Sequence, residues 1–204
     1  MQCRRLGVVD YQPTFDAMKR FTAERTAETE DEIWLLQHPP VYTQGLTGRV
    51  EHVLNAGTIP VIQIDRGGQV TYHGPGQWVA YVLFDLRRAD VNIRELVTLL
   101  ENAVISLLGH WGLPAYGDPS ARGVYVDGRK IAALGLKVSR GRAYHGLSLN
   151  VDMDLAPFKG INPCGYEGLE VTSMAALLGE RCPDMEAVAE SLLAQLVSAL
   201  PTAA

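Results

Sequence analysis

Cysteine is scarce in this chain. Cys3, Cys164 and Cys182 are the only three in 204 residues. Their odd number and wide spacing exclude a disulfide framework and point to a reducing, cytoplasmic setting. There is no Cys-x-x-Cys, and the five histidines, His38, His52, His73, His110 and His145, hold no pair at helical ligand spacing. No zinc site is therefore expected. Long apolar runs are also missing: the longest, WVAYVLF from Trp78 to Phe84, falls far short of the ~20 residues that span a bilayer. The N-terminal MQCRRLGVVD has two arginines with no apolar run behind them, so neither a signal peptide nor a membrane partner is expected. Nor is there a cationic excess. Lys plus Arg total 18 against 23 acidic residues, a formal charge of −5, which argues against a general nucleic-acid binder. The G-x-G-x-x-G and G-x-x-x-x-G-K-[ST] spacings are absent, and with them the usual dinucleotide and phosphate loops.

What remains is the composition of an ordinary soluble globular protein, 47% hydrophobic and 20% charged, long enough for a single domain over residues 1–204. The apolar spacing predicts helices over 13–26, 92–111 and 184 onward, with a shorter helical turn over 172–178. Asn92 followed by Glu95 at the third helical position has the capping-box pattern. Strand signals are EIWLLQ, PVIQI, WVAYVLFDL, GVYV, KIAALGLKV and YHGLSLNV. Asp127-Gly128 suits a type I′ hairpin turn, and Ser139 to Arg142 offers a second tight reversal. Together they predict an α+β fold: a mixed, largely antiparallel sheet flanked by helices.

Three stretches carry candidate chemistry. INPCGYEG, Ile161 to Gly168, places Cys164 between a proline and a glycine, where neither a helix nor a central strand continues. Their bend is suited to holding the sulfur outward, and a thiol becomes a nucleophile at neutral pH when a cation or base lies near it. GRKIAALGLKV opens with Lys130; strict alternation groups it with Ala132 and Leu134, opposite Ile131, Ala133 and Gly135. Burial there would lower its pKa, although read alone the pattern favours a lysine snorkelling from a strand end. RGGQVTYHGPGQ, Arg66 to Gln77, has the glycine density that lets backbone approach a ligand and frees N–H groups for an oxyanion; a mobile hairpin connection reads equally well. His73 and His145 offer imidazole bases, though single histidines in glycine-rich segments more often orient backbone or substrate.

Taken together and in this order, RGGQVTYHGPGQWVAY, GVYVDGRKIAALGLKV with YHGLSLNV, and INPCGYEGLEVTSM resemble the signature blocks of the octanoyl-acyl-carrier-protein:protein N-octanoyltransferases, the lipoate-protein ligase B family. The resemblance runs from about Leu6 to Leu178 and implies the biotin/lipoate ligase catalytic-domain fold. It also implies an acyl-thioester cysteine at Cys164 and a catalytic lysine at Lys130. The implied pocket is lined by Arg66, Gly67, Gly68, Gln69, Val70, Thr71, Tyr72 and His73, by Ala133, Leu134 and Gly135, and by Gly146, Leu147 and Ser148, with His145 as a further candidate. The implied reaction moves an octanoyl group from octanoyl-acyl carrier protein to a lysine of a lipoyl domain, in 2-oxoacid dehydrogenase complexes or the glycine cleavage H protein, with no cofactor. Ala132, Ala133 and Leu134 beside Gly135 are expected to floor the acyl slot.

Both carriers are acidic by the same resemblance, and Arg122, Arg129, Lys130, Lys137, Arg140 and Arg142 face only Asp127 between Ala121 and His145. That run is expected to form a basic rim beside the lysine. Three rival readings stand beside this one, the nearest being a related amidotransferase that moves lipoyl groups between proteins. An ATP-dependent lipoate or biotin ligase would be indifferent to loss of the Cys164 thiol, and a non-catalytic carrier-binding module would form no acyl-enzyme.

Overall fold

The computed structural model describes residues 1–201. A seven-stranded sheet has the order β1-β2-β6-β10-β9-β8-β7, comprising β1 (Gln2–Val8), β2 (Glu32–Gln37), β6 (Gln77–Asp85), β7 (Tyr116–Gly117), β8 (Val124–Val126), β9 (Arg129–Ser139) and β10 (Arg142–Asn150). Only β1 and β2 run parallel in it. A second sheet, β4-β3-β5, joins β3 (Val41–Gln44) to β4 (Val61–Gln63) in parallel and to β5 (Val70–His73) antiparallel. The expected mixed α+β architecture is therefore present, divided between two sheets.

Alternation along β6 explains why the large sheet is covered on both faces. Trp78, Ala80, Val82 and Phe84 join a core with α2 (Ile93–His110) and α4 (Met185–Ala199). Val79, Tyr81 and Leu83 pack with Tyr11, Phe15 and Met18 of α1 (Tyr11–Glu24) on the other face. A strand buried on both faces reads as a continuous apolar run. A smaller cluster of Tyr42, Val70, Tyr72, Phe158 and Ile161 closes the second sheet.

The local signals hold well. Asn92 accepts from the Arg94 and Glu95 backbone N–H groups, and the Glu95 carboxylate accepts from the Asn92 N–H, completing the capping box. Asp184 caps α4, and the turn near 172 is a short helix, α3 (Met174–Leu178), capped by Ser173. Asp127 and Gly128 both have positive φ, 49° and 78°, as do Arg140 and Gly141 at the second reversal.

Three expectations need correcting. β1, β3, β5 and β7 were not foreseen as strands: β1 is largely exposed at the sheet edge, and the other three are four residues long or shorter. The apparent meander splits because β5 pairs with β3 and not with its sequence neighbour β6. Lastly, the phase of β9 reverses at its start. Val124 opposes Ala132 while Tyr125 opposes Lys130, which leaves Ile131 as the extra residue of a bulge. A bulge re-aims the side chains that follow it. Ala132 thus turns to the helix-covered core, Leu134 packs against that core while also bordering the cavity, and Lys130 faces the same cavity as Ala133 and Gly135.

The interior spacing is tight where β10 runs beside β6. A Cβ on Gly146 would collide with the Ala80 carbonyl oxygen, an atom fixed in the sheet. Gly146→Ala should lower the unfolding free energy by about 2–4 kcal/mol. Urea unfolding measures this, and an unchanged midpoint would contradict the close packing of the two strands.

Candidate active site

Lys130 and Cys164 are 34 residues apart in sequence, yet Lys130 Nζ donates to Cys164 Sγ at 3.1 Å. Backbone pairing brings them together. The chain leaving the cysteine loop returns along the start of β9, where the Lys130 N–H donates to the Glu170 carbonyl and the Thr172 N–H to the Lys130 carbonyl, both at 2.9 Å. The loop is tied on its other side by the Asn162 N–H donating to the His52 carbonyl at 2.8 Å and by a bridge between Val53 and Ile161. Pro163 to Gly165 form a single tight turn in which Cys164 itself is left-handed, φ 56° and ψ 16°. Left-handed backbone is uncommon for a residue other than glycine, asparagine or aspartate, and it persists only where the surroundings impose it.

Lys130 is only 4% exposed. Besides the sulfur, its ammonium donates to the Arg122 carbonyl at 3.1 Å and lies 5.2 Å from the centroid of the Tyr125 ring. Burial is the largest influence on this group and by itself pulls its pKa down. The negative charge of Cys164 and hydrogen bonding to Tyr125 and Cys164 together outweigh burial, so the pKa lies above the ordinary lysine value. This corrects the expectation of a lowered pKa drawn from burial alone.

The pair opens into a cavity of about 360 Å³ between the two sheets. Of the residues expected to line it, Arg66, Gly67, Gly68, Gln69, Val70, Thr71 and His73 do so, as do Ala133, Leu134, Gly135, His145, Gly146, Leu147 and Ser148. Tyr72 does not. It faces away, packed tilted against Tyr42 and edge-on to Phe158 in the third core. Ala132, expected in the floor, lies in the helix-covered core. Tyr11, Val79, Tyr81, Ile93 and Val97 line the cavity as well; they come from α1, β6 and α2, where only tertiary packing reveals their place.

Beyond the aliphatic walls is a polar layer. Arg66 is buried and gives its guanidinium to the Thr43 carbonyl and hydroxyl at 2.8 and 2.9 Å and to the Gly67 carbonyl at 2.9 Å. Burial lowers its pKa. His73 donates from Nδ1 to Gln77 Oε1 at 2.7 Å, because the Gln77 amide nitrogen is already committed to the Tyr72 carbonyl and Asn150. His145 is left-handed at φ 62° and meets Asp65 at 3.0 Å through Nε2. Neither imidazole is hydrogen-bonded to Cys164, so the group at the sulfur is Lys130. His38, unremarked in the sequence, donates to the Val9 carbonyl and accepts from the Tyr81 hydroxyl, each at 2.7 Å.

The basic run is dispersed. Arg122 pairs with Glu101, Arg129 with Asp127 and Arg142 with Asp85. Lys130 is buried. Arg140, at the far turn of β9, lies ten residues from Lys130, roughly 30 Å along an extended strand. The expected basic rim beside the lysine is not formed.

The fold is that of the lipoate and biotin ligase catalytic domains. A bi-partite lipoate protein ligase from Thermoplasma acidophilum superposes with a TM-score of 0.74 at 15% identity, covering 98% of this chain and 84% of that one. The biotin protein ligase of Aquifex aeolicus superposes with a TM-score of 0.59 at 12% identity, over 98% and 69%. The chain belongs to the lipoyl protein ligase A/B catalytic-domain family, which it matches over residues 10–197. It is 58% identical over 198 residues to the octanoyltransferase of Aromatoleum aromaticum, spanning 97% of this chain and 85% of that protein, and it is an acyltransferase. Among the described residues, no helix is long and apolar enough to cross a membrane.

The neutral histidines of the polar layer make stability depend on pH. Burial lowers His38 from 6.5 to about 4 and, with the charge of His38 adding to it, His73 from 6.5 to about 3. Both contribute fully above the unfolded value, and the contribution drains as pH falls towards the folded values, because the unfolded chain takes up the protons first. Between pH 7 and pH 5 the unfolding free energy should fall by on the order of 2 kcal/mol for each imidazole. Urea unfolding at the two pH values checks this; equal stabilities would show that the two rings are not held neutral.

Proposed function

We propose that this enzyme moves an octanoyl group from the phosphopantetheine thioester of acyl carrier protein to the lysine of a lipoyl domain, through a thioester on Cys164. The observation that carries the reading is the 3.1 Å contact of a buried lysine ammonium with a lone cysteine sulfur at a largely apolar cavity.

On this reading Cys164 reacts as the thiolate, with the Lys130 ammonium beside it. The thiolate attacks the incoming thioester carbonyl, the carbon–sulfur bond to pantetheine breaks, and Lys130 gives its proton to the departing sulfur. Carrier leaves as the free thiol. The acyl group now neutralises the charge that held Lys130 protonated, and burial, the largest influence on that amine, favours its neutral form. The acceptor lysine attacks the Cys164 thioester, neutral Lys130 takes its proton, and the thiolate–ammonium pair is restored. No net proton is consumed. Thioester to thioester is nearly balanced and thioester to amide runs downhill, so the sequence of steps requires no nucleotide.

The cavity suits the chain that is moved. Val70, Ala133, Leu134 and Leu147 supply aliphatic wall, and each methylene buried is worth ~0.8 kcal/mol. The acceptors on this reading are the lipoyl domains of 2-oxoacid dehydrogenase complexes and the glycine cleavage H protein, and the setting is the reducing cytoplasm, where a thiolate survives.

Intact mass spectrometry after mixing with octanoyl-acyl carrier protein tests the proposal. One octanoyl group should be added, removable by hydroxylamine and absent from Cys164→Ala. Lys130→Ala should acylate about 10²–10⁴-fold more slowly. Cys3→Ala and Cys182→Ala should acylate normally, since Cys3 sits exposed on the edge strand and Cys182 packs against the main core. Acylation that survives in Cys164→Ala would refute the thioester route.

A further inference from the structure

We propose that Glu101, in the middle of α2, is a positioning residue for Lys130, acting through the strap that runs from Ser120 to Gly123. The inference rests on the reading of Lys130 as the proton-transfer group.

Glu101 is a carboxylate only 4% exposed on a helix face otherwise made of Leu100, Val104 and Leu108. A charge so placed is costly unless it is paired and hydrogen-bonded. Both oxygens are used, and both on the same short segment. Oε1 accepts from the Gly123 N–H at 2.9 Å and Oε2 from Arg122 Nη1 at 2.9 Å. The peptide between these anchors carries the Arg122 carbonyl, which accepts from Lys130 Nζ at 3.1 Å. Glu101 thus fixes, at one remove, the oxygen that shares the ammonium with Cys164.

Two further contacts show that the strap serves the site and not only the helix. The Tyr125 hydroxyl, whose ring lies against the Lys130 ammonium, donates to the Ala121 carbonyl. The Tyr166 hydroxyl, two residues past Cys164, donates to the Ser120 carbonyl at 3.3 Å. Gly123 leaves room for the lysine: a Cβ there would lie 2.9 Å from Lys130 Cε and 3.2 Å from Nζ, at a φ of 145°. The strap therefore touches the lysine stem, its ammonium and the loop of the nucleophile. A proton donor displaced by an ångström loses much of its effect, because proximity and alignment are most of what a positioned group supplies.

The test is single-turnover acylation of Cys164 by octanoyl-acyl carrier protein, in wild type, Glu101→Gln, Arg122→Ala, Lys130→Ala and Glu101→Gln with Lys130→Ala. Glutamine keeps an acceptor for the Gly123 N–H and removes the ion pair. Glu101→Gln should lower the saturating acylation rate about 10–100-fold with the half-saturating carrier concentration unchanged. In the Lys130→Ala background the same change should have no further effect. If Glu101→Gln fails to fold, Arg122→Ala, at an exposed side chain, should show a smaller loss of the same kind. Equal fractional losses with and without Lys130, or a changed half-saturation with an unchanged rate, would overturn the positioning role. A wild-type enzyme that never acylates Cys164 would instead refute the proposed reaction.

Discussion

The structure turns on a buried lysine whose charge is retained by a neighbouring sulfur. Burial by itself pulls the pKa down, and the negative charge of Cys164 with the hydrogen bonds around it lifts the pKa above the ordinary lysine value. The two opposing influences make the ammonium conditional on the state of the sulfur. On the proposed mechanism this conditionality allows one amine to act first as acid and then as base, without a second titrating group. Much of the surrounding architecture maintains the contact: the return of the chain past Glu170 and Thr172, the left-handed turn at Cys164, and the strap anchored on Glu101.

The bulge at Ile131 has a functional consequence. Without it, strict alternation would place Lys130 on the core face with Ala132. With it, Lys130 looks into the same cavity as Ala133 and Gly135. A one-residue irregularity near the beginning of an eleven-residue strand therefore decides whether the amine meets the sulfur. It also explains why sequence alternation assigned the wrong face.

How much was legible follows from how local each signal was. The capping box at Asn92, the start of the last helix at Asp184 and the Asp127-Gly128 turn depend on neighbours within a few residues, and each is found as read. The strands β1, β3, β5 and β7 were missed because an exposed edge and three strands of four residues or fewer carry no period long enough to detect. Three motif blocks brought Cys164, Lys130 and the glycine-rich segment under one resemblance, whereas composition alone favoured a snorkelling lysine. Tyr72 was included because it lies inside a motif, although the pleat of β5 turns it to the third core. Glu101 left a signal that went unused: an acidic residue in the line Val97, Glu101, Val104, Leu108, the apolar stripe of α2. The basic run failed as a rim because an extended strand carries nearby residues in sequence far apart in space.

The most direct measurement follows the protonation of Lys130 itself, by heteronuclear NMR of the labelled side chain as pH is varied, in the free enzyme and with Cys164 replaced by alanine. The account predicts an ammonium that titrates above the ordinary lysine value in the free enzyme and well below its wild-type position once the sulfur is gone. A titration that is the same with and without the sulfur would contradict it.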